Sequence, residues 1–271
     1  MPQVGLLFVG VVAALLALGV TAWVFVPAFR GPEIAGRDIG SLRLAVGAWL
    51  AMLVLNGILT LPLAPVLRID QGLTTGTFLL AAVSTQIPML VVVYGRYVWP
   101  GAVTWSDLGL RPLALDYLLR MGLGGGLFGL ITTEIIGTVL SQVGLRQNQL
   151  DQFAFIRGQS PVAFAGLLVA AAITAAIVEE LFFRGMLFGL LRRRHSLPVA
   201  YLVSGLLFTV LHLEPTRMNV TQMAGLAIGI FVLGTLLAWL YQHTGSLLPG
   251  IVAHAVNNAT GLILFYAITP R

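Results

Sequence analysis

The chain has 271 residues, of which 58% are hydrophobic and 9% charged, with a mean hydropathy of +0.95 and a formal net charge of +5. A soluble domain is about one quarter charged, so too few polar residues are present to build an exterior that faces water. The lack of cysteine excludes disulfides, thiolate metal sites and a cysteine nucleophile. All 15 basic residues are arginines, and the net charge is spread over inter-helix loops, which points to membrane orientation and away from nucleic acid.

A transmembrane helix needs about 20 apolar residues, and eight such segments follow in order. The first, Val4 to Phe29, is too long for the apolar region of a signal peptide and has no basic start, so it is read as a span. Leu42 to Val66, Thr75 to Val98 and Tyr117 to Val143 come next. The fifth, Pro161 to Arg194, would extend roughly 50 Å at about 1.5 Å per residue and should tilt or protrude. A short sixth, Pro198 to Leu213, precedes Met218 to Tyr241 and Leu247 to Ala267. These segments predict an all-α membrane protein, a bundle of about eight transmembrane helices forming one transmembrane domain over residues 1–271.

Nine arginines fall at loops after odd-numbered spans: Arg30, Arg37, Arg43, Arg96, Arg111, Arg120 and Arg192 to Arg194. The opposite face has five, Arg68, Arg146, Arg157, Arg217 and Arg271. The bias predicts that the first face is cytoplasmic. The Gly122 to Gly126 run sits inside an apolar segment with no following Lys-Ser or Lys-Thr, so it reads as close helix packing and not a phosphate loop.

Ionisable groups are rare in the hydrocarbon core unless paired or functional, yet Glu134, Glu179, Glu180, Arg184, His212 and His254 all lie within apolar segments. Glu134 reads as a carboxyl neutralised by a proton or bonded to a neighbouring helix, with Thr132 or Thr133 at hand. Glu180 and Arg184 are i and i+4 and can pair, whereas Glu179 points about 100° away with no local cation. Glu179 is thus the freer base, the one placed to take a proton from water. A buried Glu and Arg pair by itself is also a common packing device.

Depth brings the remaining groups alongside. Spans five and six form a hairpin turning near His195, and Glu179 and His212 lie at equal distances from that turn, roughly 20 Å. His254 and Asn258, i and i+4 on span eight, share a helix face near the same layer and can both donate to one oxygen. A glutamate that activates water, a histidine that holds it and two donors to a developing oxyanion are the parts for peptide hydrolysis. Glu179, His212 and His254 would equally suit Zn²⁺, and the residues alone leave the cofactor open between none and zinc.

In order along the chain, Glu179-Glu180 with Arg184 reads EExxxR, Phe208 with His212 reads FxxxH, and His254 with Asn258 reads HxxxN. This pattern resembles the CPBP family of intramembrane proteases, which includes the CAAX prenyl endopeptidase Rce1 and the bacterial Abi proteins. The resemblance covers residues 160–260 as a protease core and implies a glutamate-dependent endopeptidase with Glu179 as base, His212 holding the water, and His254 with Asn258 as the oxyanion hole. Glu180, Arg184, Phe208 and Asn257 would then support the site. The implied partner is a membrane-associated peptide or protein substrate: a prenylated CAAX tail, or in bacteria a signal-like or bacteriocin-related peptide. The implied place is the lipid bilayer, the inner cell membrane in a prokaryote, with the site opening toward the cytoplasm. Two rival readings of the same residues are a solute or proton-coupled transporter and a catalytically silent scaffold or immunity protein. No internal repeat favours the transporter, and the polar groups gather in the second half.

Overall fold

A computed structural model of the protein describes residues 2–63, 74–145, 155–156, 158–213 and 218–268. Every regular element among them is helical: α1 (Pro2–Arg30), α2 (Pro32–Gly36), α3 (Leu42–Thr60), α4 (Thr75–Val98), α5 (Leu115–Gln142), α6 (Pro161–Leu191), α7 (Leu197–Leu211), α8 (Val220–Thr244) and α9 (Leu248–Ile268). Seven of these are long and apolar enough to cross a membrane, and α7, with 15 residues, is the short one. The expected helical membrane bundle is therefore present. The five arginines assigned to the second face all lie outside the described residues.

The ends differ from expectation where local chemistry intervenes. α3 passes at Thr60 into a 3₁₀ turn, Leu61–Leu63, around Pro62, which has no N–H to continue the α-helical ladder, and the expected end of this span at Val66 lies outside the described residues. α6 stops at Leu191, and the next three residues turn back through Arg193 N–H to Leu190 O and Arg194 N–H to Leu191 O. Side chains fix several starts: Ser160 accepts from Ala163 N–H at the head of α6, and Asn219 with Gln222 forms a capping box on α8.

Within α4, Pro88 leaves the carbonyl of Ser84 without its helical donor. Asn56 of α3 supplies a replacement: its Nδ2 donates to Ser84 O at 3.0 Å and to Thr85 Oγ1 at 3.3 Å. α5 lies directly on α9. A Cβ on Gly122 would stand 2.7 Å from Val252, and one on Gly126 2.9 Å from Val256, so the glycine run does serve close packing. Glu134 is exposed on the outer face of α5, and Thr133 bonds within its own helix to Gly129 O rather than to the carboxyl.

The segment between α4 and α5 closes the arginine-rich end of the α6, α8 and α9 group. Leu108 is fully buried, Gly109 turns with φ of 94°, and its carbonyl accepts from Leu247 N–H at 2.8 Å. Ser246 Oγ donates to Arg111 O at 2.7 Å. Further along that face Arg96 is buried between the rings of Trp23 and Tyr97, at 5.0 and 5.6 Å, and its Nη1 donates to Ala35 O at 3.5 Å.

Candidate active site

α6 is not a uniform helix. Two wide π-helical stretches, Val169–Thr174 and Glu180–Phe188, flank the α-helical Ala175–Glu179, and such widenings recur at functional sites. The residues Glu180 to Phe188 are all buried, so this part of α6 is wrapped by its neighbours on every side.

The two adjacent glutamates face different surroundings. Glu180 Oε1 accepts from Arg184 Nη1 at 2.8 Å, and both side chains are 0% exposed. The same oxygen lies 2.9 Å from His254 Nδ1 on α9. Since Glu180 already accepts a charge-assisted bond from Arg184, the simplest pairing has His254 Nδ1–H donating to a carboxylate. Arg184 also donates from Nη2 to Gly234 O of α8 at 3.1 Å, and its guanidinium lies 4.2 Å over the ring of Phe208. Two glycines make room: a Cβ on Gly250 would stand 3.1 Å from Glu180 Oε2, and one on Gly234 3.4 Å from Arg184 Nη2.

Glu179 turns to the histidines instead. Its Oε2 lies 3.8 Å from the Nε2 of His212 and 3.8 Å from the Nε2 of His254, beyond direct hydrogen bonding and within the reach of a single bridging atom. Glu179 and His212 are 14% and 19% exposed, against 3% for His254, so the open side of the cluster is the His212 side.

His212 stands there because α7 is short. Its 15 residues rise about 22 Å while the 25 of antiparallel α8 rise about 37 Å, so α7 ends inside the bundle. A helix C-terminus leaves its last carbonyls without helical donors. The ring of His212 lies 2.8 Å by its Nδ1 from one of them, Phe208 O. A carbonyl only accepts, so Nδ1 donates and the Nε2 of a neutral ring presents a lone pair toward Glu179. Phe208 packs among these groups, 4.5 Å from the ring of His212 and 6.0 Å from that of His254.

The asparagines lie one helical turn away. Asn258 Nδ2 donates to Ala171 O in the first π-helical stretch of α6 at 3.0 Å, and Asn257 Nδ2 donates to Gly126 O of α5 at 3.4 Å. The structure thus brings Glu179, Glu180, Arg184, His212, Phe208 and His254 into one cluster, with Asn258 braced against α6 beside it. Sequence reasoning missed Gly234 and Gly250, whose only sequence signal is the small residue each places in an apolar helix.

Zinc ligands stand about 2.0–2.2 Å from the ion, which puts tetrahedral ligand atoms roughly 3.3–3.5 Å from each other. The 3.8 Å separations here are wider, and no group of three His, Asp or Glu side chains among the described residues has the arrangement of a metal site. As placed, the trio does not fit zinc.

Residues 161–260 match a protein family described as type II CAAX prenyl endopeptidase Rce1-like. The match begins at the head of α6, ends beyond Asn258 and contains every residue of the cluster. This segment is similar to that family over 100 residues, and the likeness supports a CAAX-protease-like intramembrane endopeptidase as the general class. No curated protein and no solved structure matches the chain.

Proposed function

We propose that the protein hydrolyses a peptide bond with water activated by Glu179. The observation that carries this reading is the placement of Glu179 Oε2 at 3.8 Å from two imidazole Nε2 atoms, each ring held through its other nitrogen by a fixed acceptor. A water in this position can donate one hydrogen to the carboxylate and the other to His212 Nε2, leaving its lone pair to attack a carbonyl. The proton passes to Glu179 and from there to the leaving amine.

The oxyanion then requires donors. Asn258 has two N–H groups, one engaged by Ala171 O and the second free to donate. His254, held through Nδ1 by Glu180, can contribute through Nε2 when that atom carries a proton. Glu180 and Arg184 act through His254 by fixing its ring, so they are positioning residues. Zinc enters no step.

The substrate is a membrane-associated peptide, with a prenylated CAAX tail or a signal-like peptide as candidate classes. Because Leu108, Leu247 and the stretch Glu180–Phe188 fill the arginine-rich end of the bundle, we read access as lateral, beside the inner end of α7, rather than along the bundle axis. Cleavage of a quenched peptide in detergent tests the mechanism. Glu179→Gln should lower kcat by about 10² to 10⁴ with an unchanged thermal melt, and retained cleavage sinks the assignment. A wild type that binds but never cleaves would favour a silent scaffold.

A further inference from the structure

α3 and α4 lie outside the Rce1-like segment, yet α4 touches the part of α6 that sets the direction of Glu179. The first π-helical stretch, Val169–Thr174, ends five residues before Glu179. Each π turn holds one more residue than an α turn, so everything that follows is rotated by about 100° relative to an uninterrupted α-helix. Were this stretch to relax to α geometry, Glu179 would swing away from His212 and His254. What holds the stretch open therefore holds the carboxylate on its target.

Donors reach it from both flanks. Ala170 O accepts its wide-turn bond from Ala175 N–H, a 2.8 Å bond from Thr174 Oγ1 and a 3.4 Å bond from Gln86 Nε2 of α4. From the other side Asn258 of α9 donates to the next carbonyl, Ala171 O. Gln86 is itself set by its own helix: it lies between Ser84 and Pro88, where the carbonyl lost to Pro88 is taken by Asn56 of α3. The path runs from Asn56 through the proline site of α4 and Gln86 to the wide turn, and from there to Glu179.

We infer that Gln86 is a positioning residue for Glu179, and that α3 and α4 serve the site by bracing the π-helical stretch of α6. The kinetic half of the test rests on the protease reading; the labelling half does not. Dicyclohexylcarbodiimide, a membrane-soluble reagent that couples to carboxyl groups, is applied to the intact protein in detergent, and adducts are quantified by mass spectrometry. Glu134, exposed on α5 away from the brace, is the internal reference.

In Gln86→Met, which keeps the volume and removes the donor, the ratio of Glu179 to Glu134 labelling should rise at least threefold as the carboxyl leaves the imidazole pair. Gln86→Glu, of nearly the same shape, should shift the ratio the same way when ionised. An unchanged ratio in both variants overturns the inference. In the cleavage assay Gln86→Met should lower kcat about tenfold with KM within twofold and an unchanged melt, since a displacement near 1 Å costs up to about 10²-fold. Equal losses in kcat and thermal stability would mark a merely structural contact and also overturn it. A labelling shift in the Gln86 variants, with a wild type that cleaves nothing, would leave the brace standing and refute the protease reading instead.

Discussion

Among the described residues two arginines, Arg96 and Arg184, are buried in apolar helices, and their surroundings differ in kind. Arg96 of α4 is enclosed by the rings of Trp23 and Tyr97 and reaches one carbonyl, so its charge is absorbed by aromatic faces and a backbone dipole. Arg184 of α6 meets a carboxylate whose same oxygen also meets His254. The first cation ends in a structural cage, and the second begins a chain of polar contacts that reaches Glu179. A buried charge thus marks a site only when its partner has a further group to hold, and burial alone does not distinguish the two.

The comparison breaks most sharply at Arg184. Arg184→Met leaves Glu180 as an uncompensated buried carboxylate, which typically costs 3–5 kcal/mol, and should lower the melting temperature in detergent by more than 5 °C while abolishing cleavage. Adding Glu180→Gln should restore much of the stability and none of the activity, because His254 then lacks its carboxylate. Gly250→Ala probes the same contact more gently. The new Cβ, 3.1 Å from Glu180 Oε2, should cost about 1–2 kcal/mol and reduce kcat severalfold.

Arg96→Met should leave cleavage within twofold of wild type and shift stability by no more than about 2 kcal/mol, the scale of a desolvated cation–π contact. A large loss of activity there would erase the distinction between the two arginines. The smallest effect concerns the segment that closes the arginine-rich end. The N–H and hydroxyl of Thr104, at 2.8 and 2.7 Å, hold the carboxyl of Asp107 below its ordinary value, with Arg193 and Arg111 adding to the effect. A lowered folded-state value means that its stabilisation is complete above the unfolded value of about 3.9 and is lost as pH falls through the folded one. Trp105 fluorescence should therefore be flat from pH 5 to 8 and change only below about pH 4, and Asp107→Asn should remove that step.

Much of the candidate site is legible in the chain because helical periodicity is local. The 100° between Glu179 and Glu180 separates a paired carboxylate from a free one before any packing is known, and counting from the α6–α7 turn puts His212 at the same depth. The asparagines show the limit of such counting. His254 and Asn258 share a face by spacing, yet the neighbours that engage them differ: Glu180 meets the first and Ala171 O the second. No periodicity in α9 encodes that difference, since it depends on which part of α6 each residue meets.

The sequence by itself determined the membrane class, the succession of spans, the Glu180–Arg184 pair and the candidacy of Glu179, because hydropathy and the 3.6-residue repeat operate within one helix. Only the tertiary structure decided that His254 meets Glu180 across 74 positions, that α7 ends inside the bundle and so fixes the ring of His212, and that Gln86 braces the turn ahead of Glu179. Those contacts depend on helix lengths, glycine clearances and an extra residue in a wide turn, and each takes effect only when one helix is packed against another.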